Sequence, residues 1–550
     1  MITEHLEELL AAALAAARRD GAVPPGEAAI ELERPKRKEH GDWATNLALK
    51  LASGGADPRR IAQALVERLP ASELVASVEL AGPGFLNFKL APAWLHDVVR
   101  RAATDEGFGR SALGAGTRVN VEYVSANPTG PLSVVGGRHA AYGDALANLL
   151  EATGHEVTRE FYINDAGRQV RLFGESVAAR YLQLHGRPAE LPEDGYEGDY
   201  VIDLARSLAA QHGDRYVDVD PDERVRVFTE LAVEAMVAQM RASLERFGTS
   251  YDLWFSEHSL HDRGEVAAAV DKLRAAGVVE ERDGALWLLS SRYGDDRDRV
   301  IVRANGEPTY LGADCAYLVD KFARGFDHLI YVWGADHHGT VPRLLAAADA
   351  LGFGRERVEV LLVQIVTLLT EGGALKGSKR KGVIVTLDEL IDEVGRDAAR
   401  YTFLSRSIDA PLEFDIAAVK RQAPDNPVYH VQYAHARICS VLRKAGEQGL
   451  EADVTGAPLE LLTHPSEDEL MRKLAAFEET VPEAAELRAP QRITRYAEEL
   501  ATVFSAFYRD CRVVSEDRAL SVARLTLCEA ARKTIARALG LLGVSAPERM

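Results

Sequence analysis

The chain has 550 residues, of which 47% are hydrophobic and 27% are charged. This composition is typical of a globular protein and excludes disorder as its main state, and a length of this size predicts several domains. Because 84 acidic residues outnumber 65 basic ones and give a net charge of -19, bulk attraction to nucleic acid or to an anionic membrane is excluded, and any nucleic-acid contact must use local basic patches. The four cysteines form no CxxC pair, which argues against a zinc ribbon and a disulfide framework and favours a reducing compartment.

The first predicted domain covers residues 1–112 and has an α+β pattern, with an amphipathic helix at its start and an alternating strand over residues 84–90. The early apolar run at 9–17 is shorter than the ~18 residues of a membrane helix. It also follows three glutamates, whereas a targeting peptide would be basic. We therefore expect a cytoplasmic protein that does not enter a membrane.

A basic loop at residues 34–43 interrupts this domain, with Arg34 and Lys36 on it and Trp43 at its aromatic tip. Taken alone, such a loop is more often a solvated turn than a binding surface.

The second predicted domain covers residues 117–415. It begins with a strand at 119–124, a proline-bounded loop, a helix that ends near residue 153 and a second strand at 157–163. This order is typical of a nucleotide-binding β-loop-α-β unit. Polar and helical sequence predicts an insertion at about 170–290, after which the apolar run at 329–333 resumes the sheet. The predicted fold class is therefore α/β, with a Rossmann-like parallel sheet.

The end of the chain has a different pattern. Residues 358–369 are β-rich, Thr386 and Glu389 form a capping box at the start of a helix, and strand signals disappear beyond residue 427. Residues 425–550 are therefore predicted to form a separate all-α domain.

The first motif lies where the strand at 119–124 ends. Glu122, Ser125 and Asn127 place a carboxylate, a hydroxyl and an amide at i, i+3 and i+5. At the carboxyl edge of a parallel sheet, these groups can converge on a ligand that carries both charges, such as an amino acid. The alternative is that Ser125 and Asn127 only cap the loop.

The second motif combines Tyr310 and Asp314, four residues apart on one helix face, with a Trp-Gly-Ala-Asp-His-His-Gly segment that contains His337. A phenol and a carboxylate on one pocket wall would suit a guanidinium, because a carboxylate accepts its fork bidentately. Adjacent histidines point apart and indicate a metal pair only weakly, so a polar loop is the better interpretation and no metal site is predicted.

The third motif is the glycine-rich loop at residues 370–382, which carries Lys376, Ser378, Lys379 and Arg380. Glycines make such a loop mobile, and its cations suit a polyphosphate. It does not match the Walker pattern, and an ordinary basic surface loop is the alternative.

In this order, the three motifs resemble those of the class I aminoacyl-tRNA synthetases, and more narrowly the arginyl-tRNA synthetase family. The segment Lys-Gly-Ser-Lys-Arg at 376–380 is similar to the KMSKS loop of the family, with glycine in place of methionine. Three further segments, at 162–167, 333–339 and 431–437, are similar to recurrent segments of the family, and the resemblance covers nearly the whole chain.

The resemblance implies that arginine is attached to tRNA(Arg) through an arginyl-adenylate, with ATP as the substrate, accompanied by Mg²⁺, and without bound zinc. Glu122 and Asp314 would hold the guanidinium, beside Tyr310. Ser125, Asn127 and His337 would orient the α-amino and carboxylate groups of the arginine. The full set of arginine-binding residues that the resemblance implies is Glu122, Ser125, Asn127, Tyr310, Asp314 and His337. The implied tRNA contacts are Arg34, Lys36 and Trp43 in the first domain and Tyr433, Arg437 and Tyr508 in an anticodon-binding helical domain. We expect a monomer.

One departure from the family affects the phosphate site. The family carries a HIGH motif with two histidines at the start of the first sheet-associated helix, whereas this chain reads Ser-Val-Val-Gly at 133–136. We expect His139, three residues later on nearly the same helix face, to substitute, helped by the Ser133 hydroxyl and by backbone N-H groups at Gly136 and Gly137. The predicted catalytic residues are thus Lys376, Ser378, Lys379 and His139, with Lys376 and Lys379 also contacting ATP.

Two alternatives remain open at this stage. A catalytically silent paralogue would keep the fold and act as a tRNA-binding or regulatory protein, and the missing histidines support it. An unrelated nucleotide-binding protein would explain the β-loop-α-β unit, but not the arginine pocket and the lysine loop.

Overall fold

The computed structural model describes residues 2–35, 37, 40–52, 55–370, 373–374, 385–423 and 425–550. The N-terminal region combines a three-stranded antiparallel sheet, in the order β1-β3-β2, with helices on its face. Its elements are α1 (Ile2–Arg19), β1 (Trp43–Thr45), α2 (Leu47–Leu51), α3 (Pro58–Val66), β2 (Val75–Ala81), β3 (Phe85–Leu90) and α4 (Pro92–Thr104). Helix α1 buries Leu6, Leu10, Ala13 and Ala17, the 3.6-residue pattern that predicted it.

The middle of the chain forms the predicted parallel sheet. Its elements up to the last sheet strand are β4 (Arg118–Tyr123), α5 (Val134–Ala152), β5 (Glu156–Ile163), α6 (Arg168–Leu184), α7 (Asp199–His212), α8 (Pro221–Arg246), β6 (Leu253–Ser256), α9 (His258–Asp262), α10 (Glu265–Ala275), β7 (Val279–Arg282), β8 (Ala285–Leu288), β9 (Arg299–Val302), α11 (Tyr310–Ala323), β10 (His328–Gly334), α12 (Val341–Ala350) and β11 (Val358–Val363). The strands pair in the order β11-β10-β4-β5-β6, and every pairing in this sheet is parallel. Their carboxyl ends therefore meet at one edge, where ligands bind in this type of sheet.

The expected insertion is smaller than its predicted bounds. Strand β6 pairs with β5 from Glu160 opposite Leu253 to Ile163 opposite Ser256, so the prediction that the sheet resumes only at residue 329 is wrong. The strand has only four residues, too few to show a clear hydrophobic period. Strands β7, β8 and β9 form a separate three-stranded sheet.

The remaining elements are mostly helical. They are β12 (Val366–Thr370), β13 (Gly373–Ala374), α13 (Leu387–Val394), α14 (Arg396–Leu404), β14 (Leu412–Asp415), α15 (Ile416–Lys420), α16 (Pro427–Gly446), α17 (Pro465–Ala475), α18 (Phe477–Glu486), α19 (Gln491–Asp510) and α20 (Arg518–Leu541). The capping box at Thr386 and Glu389 is present as predicted. None of the helices in the described ranges combines the length and the apolar character that a membrane crossing requires.

A buried arginine joins the helical region to the first helix of the parallel sheet. The Arg400 guanidinium is fully buried, pairs with Asp144 of α5, and donates to the carbonyl oxygen of Leu542 (3.1 Å) after α20 and to that of Phe247 (3.2 Å) after α8. Because a fully buried guanidinium is stable only when its donors are satisfied, these contacts hold α5 in a defined position.

Candidate active site

A cavity of about 740 Å³ opens at the carboxyl edge of the parallel sheet, between the ends of β4 and β10 and the start of α11. It is lined by seven of the residues predicted from sequence, which come from segments almost 200 residues apart along the chain: Glu122, Ser125, Asn127, His139, Tyr310, Asp314 and His337. The adjacent parallel pairing of β4 with β10 brings the first two motifs together, as the sheet order predicts.

The loop after β4 has an unusual backbone that directs Glu122. Val124 and Ser125 have φ values of 71° and 38°, a region that β-branched residues rarely adopt. The Ser125 hydroxyl donates to Glu122 Oε1 (3.1 Å) and accepts from the Tyr162 backbone N-H (3.1 Å). Ser125 therefore holds the Glu122 carboxylate and joins β4 to β5, in partial agreement with the loop-capping alternative.

Asn127 extends this wall of the cavity. Its side-chain amide donates to Gln169 Oε1 (2.7 Å), at the start of α6. Because Asn127 lines the cavity, its side chain can contact a ligand there.

Helix α11 forms the opposite wall. Tyr310 and Asp314 share a face as predicted, and Tyr310 is the first residue of the helix and 62% exposed. None of the hydrogen bonds or ion pairs among the described residues involves the Asp314 carboxylate. Burial and the neighbouring Glu257 and Glu122 carboxylates together raise the pKa of Asp314 to about 7, against the opposing effect of Arg343. An unpartnered carboxyl of this kind favours a cationic ligand.

A second buried carboxyl, Glu257, lines a neighbouring cavity together with Tyr310. Burial also raises the pKa of Glu257 to about 7, whereas its hydrogen bond with Tyr162 acts in the opposite direction. Because the Glu257 carboxylate contributes to the raised pKa of Asp314, a cation near Asp314 would favour its ionised form.

The same face of α11 continues below the cavity with residues that the sequence prediction missed. Lys321, seven residues after Asp314, donates from Nζ to Glu122 Oε2 at 2.6 Å. The ring of Tyr331, which pairs in register with Glu122 across β10 and β4, also lines the cavity. Counted from Tyr310 as i, Asp314 is at i+4 and Lys321 is at i+11 on the same face of α11. Continuing the helical spacing beyond Asp314 would therefore have indicated Lys321.

His139 reaches the cavity from the second turn of α5. Burial and the neighbouring Arg138 together lower the pKa of His139 to about 4, so the imidazole is neutral near pH 7. Its buried Nε2 atom has no hydrogen-bond partner among the described residues. Arg138 points away, as the helix geometry predicts, and donates to the carbonyl oxygens of Gln364 (2.8 Å) and Ser407 (3.0 Å). Of Arg138 and His139, it is therefore His139 that can contact a ligand in the cavity.

The first turn of α5 is joined to the segment that follows the lysine loop. The Leu387 N-H donates to Leu132 O (2.8 Å), and Ser133 forms a β-bridge with Thr386. Thr386 and Leu387, which follow the lysine loop in the sequence, therefore lie beside the start of α5. The residues of that loop predicted to act on phosphates, Lys376, Ser378 and Lys379, lie outside the described residues.

Glycine at position 137 is required by packing. A Cβ atom at Gly137 would lie 2.7 Å from Leu387 Cδ1. The backbone N-H of Gly137 donates to Ser133 O (3.2 Å) within the helix. The predicted ATP contact of Gly137 stays a prediction. The predicted ATP contacts of Ser133 and Gly136 stay predictions.

His337 lies in a short 3-10 helix after β10, and its side chain is 60% exposed. Its Nε2 atom is 3.8 Å from Asp336 Oδ2. The described ranges contain no group of three or more His, Cys, Asp or Glu side chains that could hold a metal ion.

The predicted contacts in the N-terminal region need a correction. Trp43 lies in strand β1 and is 6% exposed, so it is not the aromatic tip of a loop and has no free face for a base. Arg34 lies over its ring, 4.1 Å from the centroid, and pairs with Glu479 of α18 at 2.5 Å. Lys36 lies outside the described residues.

The three residues predicted in the helical region form one surface cluster. Tyr433 and Tyr508 are both exposed, and the Arg437 guanidinium lies over both rings, at 4.8 and 5.3 Å from their centroids. Arg437 also donates to the Tyr433 hydroxyl (2.8 Å). Exposed aromatic faces beside an arginine suit unpaired bases.

Comparisons with known proteins indicate the same protein family along the whole chain. Three family models match consecutive parts: the arginyl tRNA synthetase N terminal domain at residues 4–90, the class I (R) tRNA synthetase catalytic domain at 99–407 and the DALR anticodon binding domain at 431–550. The arginine-tRNA ligase of Moorella thermoacetica is 50% identical and that of Carboxydothermus hydrogenoformans 47% identical, each over 100% of both chains.

A solved structure of the same family is also similar to this chain. The structure of Thermus thermophilus arginyl-tRNA synthetase matches with a TM-score of 0.75 and 25% identity over 100% of both chains. The chain therefore belongs to the arginyl-tRNA synthetase family of class I aminoacyl-tRNA synthetases.

Proposed function

We propose that the protein is an arginine-tRNA ligase that joins arginine to tRNA(Arg) at the expense of ATP. The observation that carries this proposal is the cavity at the carboxyl edge of the sheet, where the unpartnered Asp314 carboxylate faces Glu122. Two carboxylates on opposite walls of one cavity can both accept from the planar fork of a guanidinium. The relatives that match over the full chain carry the same activity in their names.

The reaction has two steps. The arginine carboxylate attacks the α-phosphorus of ATP, an acyl phosphate bond forms, and pyrophosphate leaves. A ribose hydroxyl of the terminal tRNA adenosine then attacks the carbonyl carbon, and AMP leaves. The residues act by position and charge, without a covalent enzyme intermediate.

The substrate arginine is oriented from both ends. Glu122 and Asp314 hold its guanidinium beside the Tyr310 ring, while Asn127 and His337 orient its α-amino and carboxylate groups. Ser125 contributes by fixing the Glu122 carboxylate.

ATP binds at the start of α5. Mg²⁺ enters with the triphosphate as part of the substrate, and Lys376 and Lys379 stabilise the charge that develops on the leaving pyrophosphate. Ser133, Gly136 and Ser378 complete the contacts to the phosphates.

His139 takes the place of the absent histidines of the HIGH motif. Its buried, unpartnered Nε2 atom supports this role, because a buried polar atom without a partner is costly unless a ligand satisfies it. The neutral ring can donate or accept one hydrogen bond at the nucleotide. This substitution favours an active enzyme over the catalytically silent paralogue.

The tRNA binds along the helical region. Tyr433, Arg437 and Tyr508 stack on anticodon bases, and Arg34 and Lys36 contribute phosphate contacts from the N-terminal region. We further propose that the protein works as a monomer in the cytoplasm.

Exchange of labelled pyrophosphate into ATP tests the proposal. The exchange should require arginine and should not occur with lysine in its place. A protein that binds tRNA(Arg) but shows no exchange with arginine, with or without tRNA, would establish the silent paralogue instead.

A further inference from the structure

A lysine ammonium lies directly beneath the proposed arginine pocket. Lys321 Nζ is 2.6 Å from Glu122 Oε2, and the two side chains are 0% and 5% exposed. The ammonium also lies 4.1 Å from the centroid of the Tyr331 ring and 4.4 Å from that of Tyr317. A fully buried lysine is rare, and this one is stabilised by one carboxylate and two aromatic faces.

The neighbouring carboxylate, Glu160, has hydrogen-bond donors of its own. Glu160, the partner of Glu122 across β5 and β4, accepts from Arg324 (2.7 Å), from the Asn120 amide (2.6 Å) and from the Tyr317 hydroxyl. Burial raises the pKa of Glu160, but Lys321 and Arg324 outweigh it and keep that pKa low, so the charge of Lys321 acts on both carboxylates. The hydrogen bond of Lys321 goes to Glu122, which it therefore orients.

The two oxygens of Glu122 consequently have different roles. Its Oε2 atom accepts from Lys321 from below, whereas its Oε1 atom accepts from the Ser125 hydroxyl, and Glu122 lines the cavity. Across the cavity, Asp314 has no partner among the described residues. The pocket thus offers one preoriented oxygen and one open carboxylate.

This arrangement suits a guanidinium better than an ammonium. A guanidinium spreads its charge over a planar fork that can span Glu122 and Asp314. The ammonium of a bound lysine would concentrate its charge beside Glu122, close to the ammonium of Lys321, and like charges in a buried site repel strongly.

We propose that Lys321 is a positioning residue for amino-acid selection. It fixes Glu122 from below and repels the ammonium of a bound lysine, so that the pocket selects a substrate with a guanidinium. The inference rests on the proposed arginine pocket. It assigns no contact between Lys321 and the substrate.

The test uses the full-length enzyme in pyrophosphate exchange, with arginine and lysine as alternative substrates. Lys321→Ala should raise the KM for arginine by roughly ten- to a hundredfold, as expected for a disoriented charged partner. The KM for ATP should stay within about threefold, because Lys321 lies beneath the amino-acid end of the cavity. The ratio of kcat/KM for arginine to that for lysine should fall.

Added propylammonium, which matches the side-chain atoms removed in Lys321→Ala, should lower the KM for arginine again. Tetramethylammonium is the matched control, because it carries the same charge but cannot donate a hydrogen bond to Glu122. Rescue by propylammonium alone would not follow from a merely structural role. Equal effects of the two cations, or an unchanged KM in the folded variant, would overturn the proposal.

A second variant covers the case in which Lys321→Ala does not fold. Lys321→Gln keeps a donor for Glu122 but removes the charge, so it should retain binding of arginine while accepting lysine more readily. Unchanged selectivity in this variant, or a failure of both variants to fold, would assign Lys321 to stability and overturn the inference.

Asp314→Asn, assayed in parallel, separates this inference from the proposed pocket. If Asp314→Asn leaves the KM for arginine unchanged, the pocket itself is misassigned. If it raises that KM and the folded Lys321 variants do not, only the role of Lys321 fails.

Discussion

Replacing Asp314 by asparagine should weaken arginine binding in a pH-dependent way. The carboxylate faces the cavity without a partner among the described residues, so a bound guanidinium would be its main counterion. Losing a hydrogen bond to a charged group costs about 1.5 to 3 kcal/mol, which corresponds to roughly a 10- to 150-fold higher Kd.

The pH dependence follows from the raised pKa of Asp314, about 7 in the free protein. A guanidinium favours the ionised carboxylate, so below this pKa arginine binding must displace a proton. The affinity for arginine should therefore rise with pH, by up to about tenfold per unit, and level off above about pH 7. Asp314→Asn should remove this contribution, because the amide does not titrate.

Calorimetric titration of arginine, between about pH 5.5 and about pH 8.5, measures both effects. Repeating it in two buffers with different ionisation enthalpies counts the protons released. The control is Glu257→Gln, which removes a neighbouring charge that raises the pKa of Asp314 and should move the inflection to lower pH. An affinity that is independent of pH, together with unchanged binding by Asp314→Asn, would refute the assignment of Asp314.

Three further predictions concern phosphate chemistry and tRNA. His139→Ala should lower kcat in pyrophosphate exchange by roughly 10²- to 10³-fold, as for loss of one preorganised donor, with little change in arginine affinity measured by calorimetry. Alanine at Lys376 or Lys379 should also lower kcat by roughly 10²- to 10³-fold, because each lysine meets charge that grows on pyrophosphate. Arg437→Ala should weaken tRNA(Arg) binding and make the slope of log affinity against log salt shallower in filter-binding assays, because one cation is lost from the interface.

Each of these predictions has a contradicting result. Normal turnover of the His139→Ala variant would show that His139 does not compensate for the missing histidines. A lysine variant with normal kcat and only a higher KM for arginine would exclude the phosphate role. Unchanged tRNA affinity in Arg437→Ala would move the anticodon contacts away from the Tyr433 and Tyr508 cluster.

The sheet and its site were predictable because their signals are local and regular. The apolar strands at 118–123 and 328–334, separated by about 200 residues, each end in polar motifs, and the parallel order brings those ends together. The capping box at Thr386 was predictable for the same reason, since its two residues recognise each other at a fixed spacing.

Other features depend on tertiary contacts that one sequence does not reveal. Trp43 reads as a loop tip beside basic residues, yet it pairs opposite Phe88 in a sheet and lies beneath Arg34. Strand β6 is four residues long, so neither its period nor its length distinguishes it from a loop. The Lys321 contact with Glu122 joins residues 199 positions apart, and only their packing shows that a charged residue is buried there.

Charging of tRNA(Arg) with labelled arginine tests the central claim most directly, because it requires the arginine pocket, the nucleotide site and the helical region together. The wild-type protein should form arginyl-tRNA in the presence of ATP and Mg²⁺ at about 1 to 10³ s⁻¹, although it reads Ser-Val-Val-Gly at 133–136. Absence of charging by the wild type, with charging gained in Gly136→His, would contradict the account and establish a protein that lost catalysis with its histidines.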